Sequence, residues 1–455
     1  MRRGNARRWA VLLAGLVALV VAVPFGAAAY GDQSADSHRG SSDAPRFRQV
    51  GYFIQWGIYG REFFVKNLDT SGAASRLTHV NYAFGNVAPN AAGTVQCLSG
   101  DVWADYQRPV GEAESVDGVG DLWGEPLNGN FGQLLKLKAK HPKLKVLMSL
   151  GGWTWSKYFS DAALTAASRK AFVESCVDQF IKGNLPSLGQ GESGGPGSGA
   201  GVFDGIDLDW EWPASDGNTG NIIRAEDKKN FTLLLAEFRK QLDDYGRQTS
   251  KQYELTAFLP AAPAKIDVGF EGKKIFKYLD FATVQGYDFH GTWEQVTNHQ
   301  SAIRVPAGAP VTPDFSIDVA VKAWLTAGAP RDELVIGIPY YGQGWAGVTG
   351  GGNGLFKPST GGAAPGTWGP GNEDYKKLAT LTGAGGYTVY RDFAAGHAWL
   401  FNGSTFWTFD DPLVLLQKAL YIRQQRLGGA MVWELSGDDT NATLTKTIHF
   451  GLSIL

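Results

Sequence analysis

Asp204-Gly205-Ile206-Asp207-Leu208-Asp209-Trp210-Glu211-Trp212 is an apolar run into which four acids are set. Read as a β-strand, its alternate side chains point to opposite faces, so Asp207, Asp209 and Glu211 share one face while Ile206, Leu208 and Trp210 share the other. The competing reading is an edge strand with acids facing water. The bulk of Ile206, Leu208, Trp210 and Trp212 argues against it, and an interior strand is expected. Three carboxyls crowded into a partly desolvated place cannot all ionise freely, so at least one keeps its proton near neutral pH. A retained proton is what a general acid needs. Asp204 has the opposite parity and suits a strand-end hydrogen bond instead of chemistry.

Working outward, seven further apolar, β-rich runs lie at 49–56, 77–85, 145–151, 253–259, 281–287, 334–341 and 429–434, and join the acidic strand at 205–211. Helical stretches at 131–140, 163–181, 225–245, 314–327 and 412–426 fall between them. The alternation predicts an α/β fold. Eight strands with crossover helices predict a (β/α)8 TIM barrel whose site lies at the C-terminal ends of the strands. Residues 343–408 are too long for a βα loop and carry strand-like pieces at 387–393 and 405–409, so a small α+β insertion is expected between strands seven and eight. The barrel is then 45–342 and 409–455. The Gly/Ser-rich stretch 186–201 reads as an αβ loop on the face away from the chemistry.

Arg2, Arg3, Arg7 and Arg8 precede an apolar stretch at 9–23, and Ala27-Ala28-Ala29 supplies small residues for cleavage. This reads as a secretory signal over 1–29, followed by a polar leader at 30–44, and predicts a secreted, extracellular protein. A membrane anchor is the competing reading, but the run is short for a span of ~20 residues and Pro24 ends it. In an oxidising compartment Cys97 and Cys176 could form one disulfide or stay as two buried thiols.

The 455 residues carry a net charge of −2 and no long Lys/Arg run beyond the signal, which excludes nucleic acid and an anionic membrane surface as obvious partners. A neutral ligand fits better. Fifteen Trp allow a binding surface on which the C–H face of a pyranose could pack, although core filling accounts for any single Trp equally well. The seven His lack metal-ligand spacing and Gly350–Gly354 lacks a phosphate-loop Lys, so neither metal nor cofactor is expected. Gly191-Glu192-Ser193-Gly194-Gly195 fits a GxSxG string without the strand-to-helix elbow that exposes a nucleophile. A monomer is expected, with no stretch of domain length left over for a separate carbohydrate-binding module.

Asp204, Asp207, Asp209 and Glu211 fit the pattern DxxDxDxE, Ser149-Leu150-Gly151-Gly152 fits SxGG after the third strand, Tyr287-Asp288 ends the sixth, and Trp433 leaves the eighth. In these motifs together the chain from Gln49 onward resembles glycoside hydrolase family 18, the chitinases. The resemblance implies a secreted hydrolase of chitin or N-acetylglucosamine oligomers with substrate-assisted, retaining chemistry. On that likeness Glu211 is the acid and base, Asp209 orients the acetamido group and steadies an oxazolinium, Asp207 shares charge and proton with Asp209, and Tyr287 fixes the acetamido oxygen. Asp288 is implied at the sugar or leaving group. Tyr52, Trp56 and Trp433 are implied on the non-reducing side, and Trp153 and Trp293 on the leaving-group side. Gln285, Tyr341 and Gln343 are implied as further sugar contacts, with Gln285 standing where many relatives have Met and Gln343 where they have Arg. Ser149, Gly151 and Gly152 read as structural support. Two other readings share these motifs: an endo-β-N-acetylglucosaminidase acting on N-linked glycans, and an inactive chitin-binding lectin.

Overall fold

Eight parallel strands close on themselves in the computed structural model, which describes residues 47–454 apart from 188, 190, 191 and 311–314. The expected signal and leader lie outside the described residues. In chain order the first strands are β1 (Arg48–Ile54), β2 (His79–Pro89), β3 (Val95–Leu98), β4 (Lys145–Gly151) and β5 (Gly205–Asp209). They are followed by β6 (Glu254–Leu259), β7 (Phe281–Val284) and β8 (Leu334–Pro339). The insertion sheet contains β9 (Tyr341–Trp345), β10 (Asn372–Asp374), β11 (Thr388–Asp392), β12 (His397–Phe401) and β13 (Phe406–Phe409), and β14 (Gly429–Trp433) completes the barrel. The barrel order is β1-β14-β8-β7-β6-β5-β4-β2, with β2 pairing back onto β1, while β3 runs antiparallel along the far end of β2. This is the (β/α)8 TIM barrel that the alternation predicts.

The five expected helices are present as Gly129–Lys140, Ala166–Cys176, Asp227–Thr249, Ile317–Thr326 and Pro412–Gln424. Their ends follow from capping. Thr165 accepts from Ser168 N and starts a new helix inside the stretch expected as one, and Asp411 accepts from Leu413 N and Val414 N ahead of Pro412. Helices Val65–Thr70, Pro263–Gly269 and Thr443–Ser453 were not expected. The first two are under two turns, too short for an apolar period to declare itself. No helix of the described residues is long and apolar enough to cross a membrane.

Inside the barrel, Val50, Leu147, Phe281, Val335 and Met431 pack in an apolar cluster that also takes in Tyr52 and Phe258. Buried polar residues share this interior: Asp207, Ser149, Thr256, Asn81 and Thr283. The much larger apolar core lies between the strands and the surrounding helices. Cys97 on β3 and Cys176 are bonded to each other, which settles the two alternatives in favour of a disulfide.

The antiparallel insertion sheet has the order β10-β9-β13-β12-β11 and carries the helix Tyr375–Leu381. Here the strand expected over 334–341 needs correction. The barrel strand stops at Pro339, and Tyr341, placed by sequence in that strand, opens the insertion sheet. The last bond to β14 runs from Tyr340 N to Trp433 O (2.8 Å), and the Tyr340 carbonyl already accepts from Tyr375 N of the insertion (2.8 Å). Beyond Tyr340 the glycines Gly342 and Gly344 sit against Leu378 and Trp407 at distances where a Cβ would clash, at 2.5 and 2.4 Å, so the chain packs on new partners.

Candidate active site

β5 carries Asp207 and Asp209 inward, at the end of the barrel where the chain leaves the parallel strands. Asp207 is completely buried and accepts hydrogen bonds from Tyr52 Oη (2.8 Å), Ser149 Oγ (2.8 Å) and Thr256 Oγ1 (2.5 Å). Burial raises its pKa, and these hydroxyls pull the other way. Asp209 lies one step further out, 4% exposed, and its Oδ1 has no hydrogen-bond partner. Burial, then the charges of Glu211 and Asp207, holds its pKa far above the ordinary carboxylate range. Glu211 stands past the last ladder residue and lines the cleft; burial and then the charge of Asp288 raise its pKa, with Lys265 opposing. Asp204 is at the opposite end, where its carboxylate accepts from Val146 N (2.9 Å) and pairs with Lys138 (2.8 Å), as its parity suggested.

Tyr287 follows β7, stacked 6.2 Å from Phe258, and burial followed by the charge of Asp209 keeps its hydroxyl protonated. Asp288 has a φ of 55°, a left-handed conformation that costs a non-glycine residue energy. Its Oδ1 accepts from Tyr341 Oη (2.7 Å) and Gln343 Nε2 (2.9 Å), both neutral donors.

The cleft has a volume of about 910 Å³ and is walled mainly by aromatic rings. Trp56, Trp153 and Trp293 stand around it, 40%, 52% and 62% exposed, and Trp433 lines it between Tyr52 (5.2 Å, edge-on) and Phe84 (5.6 Å, stacked). Gln285 also lines it. Trp56 and Trp433 are shared with a second hollow of about 520 Å³, to which the insertion contributes Trp368, Asn372, Asp374 and Tyr341. Gly151 and Gly152 have φ of 102° and 69°; a Cβ would lie 2.6 Å from Asp209 O at the first and 2.7 Å from the Phe84 ring at the second. Both glycines therefore permit the close approach of the strand ends.

The structure brings Glu211, Asp209, Tyr287, Asp288, Gln285, Trp56, Trp153, Trp293 and Trp433 to one cleft. Three residues implied as sugar contacts, Tyr52, Gln343 and Tyr341, stand outside that lining. Tyr52 is 1% exposed with its hydroxyl on Asp207, and Gln343 lies behind Asp288, so each supports a carboxylate instead of lining the cleft. Tyr341 likewise backs Asp288, and reaches only the second hollow. Sequence reasoning missed Phe84, Trp155, Trp212 and Lys265 in the lining. Trp155 and Trp212 adjoin recognised motifs and could have been found by that proximity. Phe84 and Lys265 carry no local signal. Among the described residues, no group of three or more His, Cys, Asp or Glu is placed to hold a metal ion.

The family model described as glycosyl hydrolases family 18 matches residues 48–438. The chain belongs to glycosyl hydrolase family 18. Chitinase A1 of Niallia circulans is 37% identical over 443 residues, covering 90% of this chain and 59% of the relative. Chitinase C of Streptomyces lividans is 39% identical over 398 residues, covering 86% and 58%. This family 18 chain thus spans about three fifths of the length of those relatives. Among solved structures, the catalytic domain of the psychrophilic chitinase B from Arthrobacter TAD20 superposes with a TM-score of 0.84 at 47% identity, covering 89% of this chain and 95% of that one.

Proposed function

We propose that the protein is a secreted, monomeric chitinase that hydrolyses β-1,4 linkages in chitin and N-acetylglucosamine oligomers with retention, the substrate's acetamido group acting as nucleophile. Residues 1–29 are its signal, 45–340 and 410–455 its catalytic barrel, and 341–409 the inserted wall. The observation that carries this reading is the unpartnered Asp209 Oδ1, buried in an aromatic cleft beside Glu211 and Tyr287. A buried acceptor without a donor is costly, and the N–H of an acetamido group would supply one.

From there each group has a task. Glu211, whose proton burial and the charge of Asp288 help to retain, gives that proton to the glycosidic oxygen and later takes one from water. Asp209 holds the acetamido N–H, so that the carbonyl oxygen attacks the anomeric carbon, and its carboxylate steadies the oxazolinium formed. Asp207, held by three hydroxyls, can take a share of the proton and charge of Asp209. The Tyr287 hydroxyl fixes the acetamido oxygen, and Asp288 holds the sugar ring. The rings of Trp433, Trp56, Trp153 and Trp293 suit a neutral sugar chain. The names of the relatives and of the Arthrobacter structure support the substrate class.

The test incubates the chain lacking residues 1–44 with N-acetylglucosamine hexamer, beside Glu211→Gln, and follows the products and their fresh anomers by NMR. Cleavage with the β-anomer first, abolished in the variant, is expected. A hexamer that binds without being cut would point to a lectin and sink the enzyme reading.

A further inference from the structure

Glu211 stands two residues past the end of β5, so its peptide groups have no strand neighbour to bond. Both are nonetheless held, and by side chains. The N–H donates to Ser156 Oγ (2.9 Å), a fully buried hydroxyl that also lies at hydrogen-bond distance from Asp209 O (3.0 Å) and Gly152 O (2.8 Å). The C=O accepts from Asn221 Nδ2 (2.9 Å). The same carbonyl is pressed by Gly217, where a Cβ would stand 2.0 Å from it. The loop bearing Gly217 is itself tied down, because Lys265 Nζ donates to Asp216 Oδ1 (3.0 Å). Among the described residues no hydrogen bond reaches the carboxyl of Glu211, so its place in the cleft is set by this clamped backbone.

We propose that Ser156 and Asn221 are positioning residues for proton delivery, one from the loop after β4 and one from the loop after β5, which together aim the Glu211 carboxyl at the leaving oxygen. The inference rests on Glu211 being the general acid. A misplacement of about 1 Å in such a group can cost about 100-fold in rate, so two hydrogen bonds on its backbone are enough to matter. Were the pair only holding the loops together, its loss would slow every substrate alike.

Leaving groups separate the two roles. N-acetylglucosamine tetramer must receive a proton as its bond breaks, whereas the 2,4-dinitrophenyl glycoside of the dimer departs as a phenolate and needs none. With kcat/KM reporting bond cleavage, Ser156→Ala and Asn221→Ala should lose roughly 10- to 100-fold on the tetramer and less than about threefold on the dinitrophenyl glycoside. Equal losses on both substrates, or no loss on either, would overturn the proposal. Should Ser156→Ala fail to fold, Asn221→Ala, a partly exposed loop residue, decides alone. Glu211→Gln run alongside keeps the two levels apart. If it shows the split and the other variants do not, the positioning role falls while the acid stands. If it cuts the tetramer at the wild-type rate, the acid reading falls and the proposal with it.

Discussion

Asp288 and Lys265 act on Glu211 with opposite signs, and that opposition can be measured. The charge of Asp288 raises the Glu211 pKa and that of Lys265 lowers it. In the proposed role as acid Glu211 must be protonated to work, so activity falls as pH rises through its pKa. Asp288→Asn should therefore bring the alkaline limb of the pH–kcat/KM profile to lower pH, and Lys265→Met should move it higher. Shifts in the same direction would show that the limb belongs to another group. Asp105 offers a test of stability instead of activity. It is fully buried, accepts from Tyr82 Oη (2.5 Å) and Ser99 Oγ, and burial pushes its pKa from 3.8 up to about 7. The folded state then binds that proton more tightly than the unfolded chain. The stability it contributes is complete below about pH 4 and lost as pH rises through about 7, up to about 4 kcal/mol in all. Asp105→Asn should flatten that slope in urea unfolding measured across the window, and an unchanged slope would rule Asp105 out as its source. At this scale the sequence was legible where the strand period applied: Asp207 and Asp209 share a face because β5 is a strand. That the Tyr52 hydroxyl sits on Asp207 and the Gln343 amide on Asp288 was not legible, since a motif names a residue but not what stands in front of it. Ser156 and Asn221 were illegible, because hydrogen bonds between separate loops leave no mark on either.

Elements were legible in proportion to their regularity. The buried barrel strands read as apolar runs because parallel strands covered on both faces need no polar alternation. Those runs overshot at β7 and β8, where the aromatic Tyr287 and Tyr341 continue the pattern after the ladder has ended. A ladder ends where its partner does, and one strand's sequence does not contain its partner. The pairing of Cys97 with Cys176 was likewise open, since two thiols give no distance. In the fold the bond fastens β3 to the end of the helix Ala166–Cys176 and closes a segment with a sequence separation of 79. A loop of that length should contribute about 4 kcal/mol through the entropy of the unfolded chain. Cys97→Ser combined with Cys176→Ser should lower the unfolding free energy by about that amount in urea, with kcat on the hexamer retained, because neither sulfur approaches the cleft. A loss below about 1 kcal/mol would mean that the helix and the hairpin hold each other without the bond.

At the scale of the whole molecule, the insertion matters because it walls a hollow that adjoins the cleft holding Glu211. Trp56 and Trp433 border both hollows, so a chain lying over Trp433 would pass from the one holding Glu211 into the one walled by Trp368 and Asp374. Trp368 is 39% exposed, with its Nε1 on Asp374 Oδ2 (2.7 Å) and the Arg61 guanidinium 4.2 Å from its ring centre. Arg61 also pairs with Asp374 (2.8 Å), so it stays in place without the indole. Trp368 is therefore a ring held steady on one side and open on the other, which is what stacking on a sugar requires. It is also remote from the acids: none of Asp207, Asp209 or Glu211 lines its hollow. Trp368→Ala should accordingly lower kcat/KM on N-acetylglucosamine hexamer by roughly tenfold, the worth of one aromatic contact of about 1.5 kcal/mol, and leave the trimer within about twofold. The loss should reside in KM, since the contact is the same in ground and transition states. Equal losses on hexamer and trimer would mean that Trp368 supports the barrel through Arg61, and the second hollow would then have no part in holding the chain.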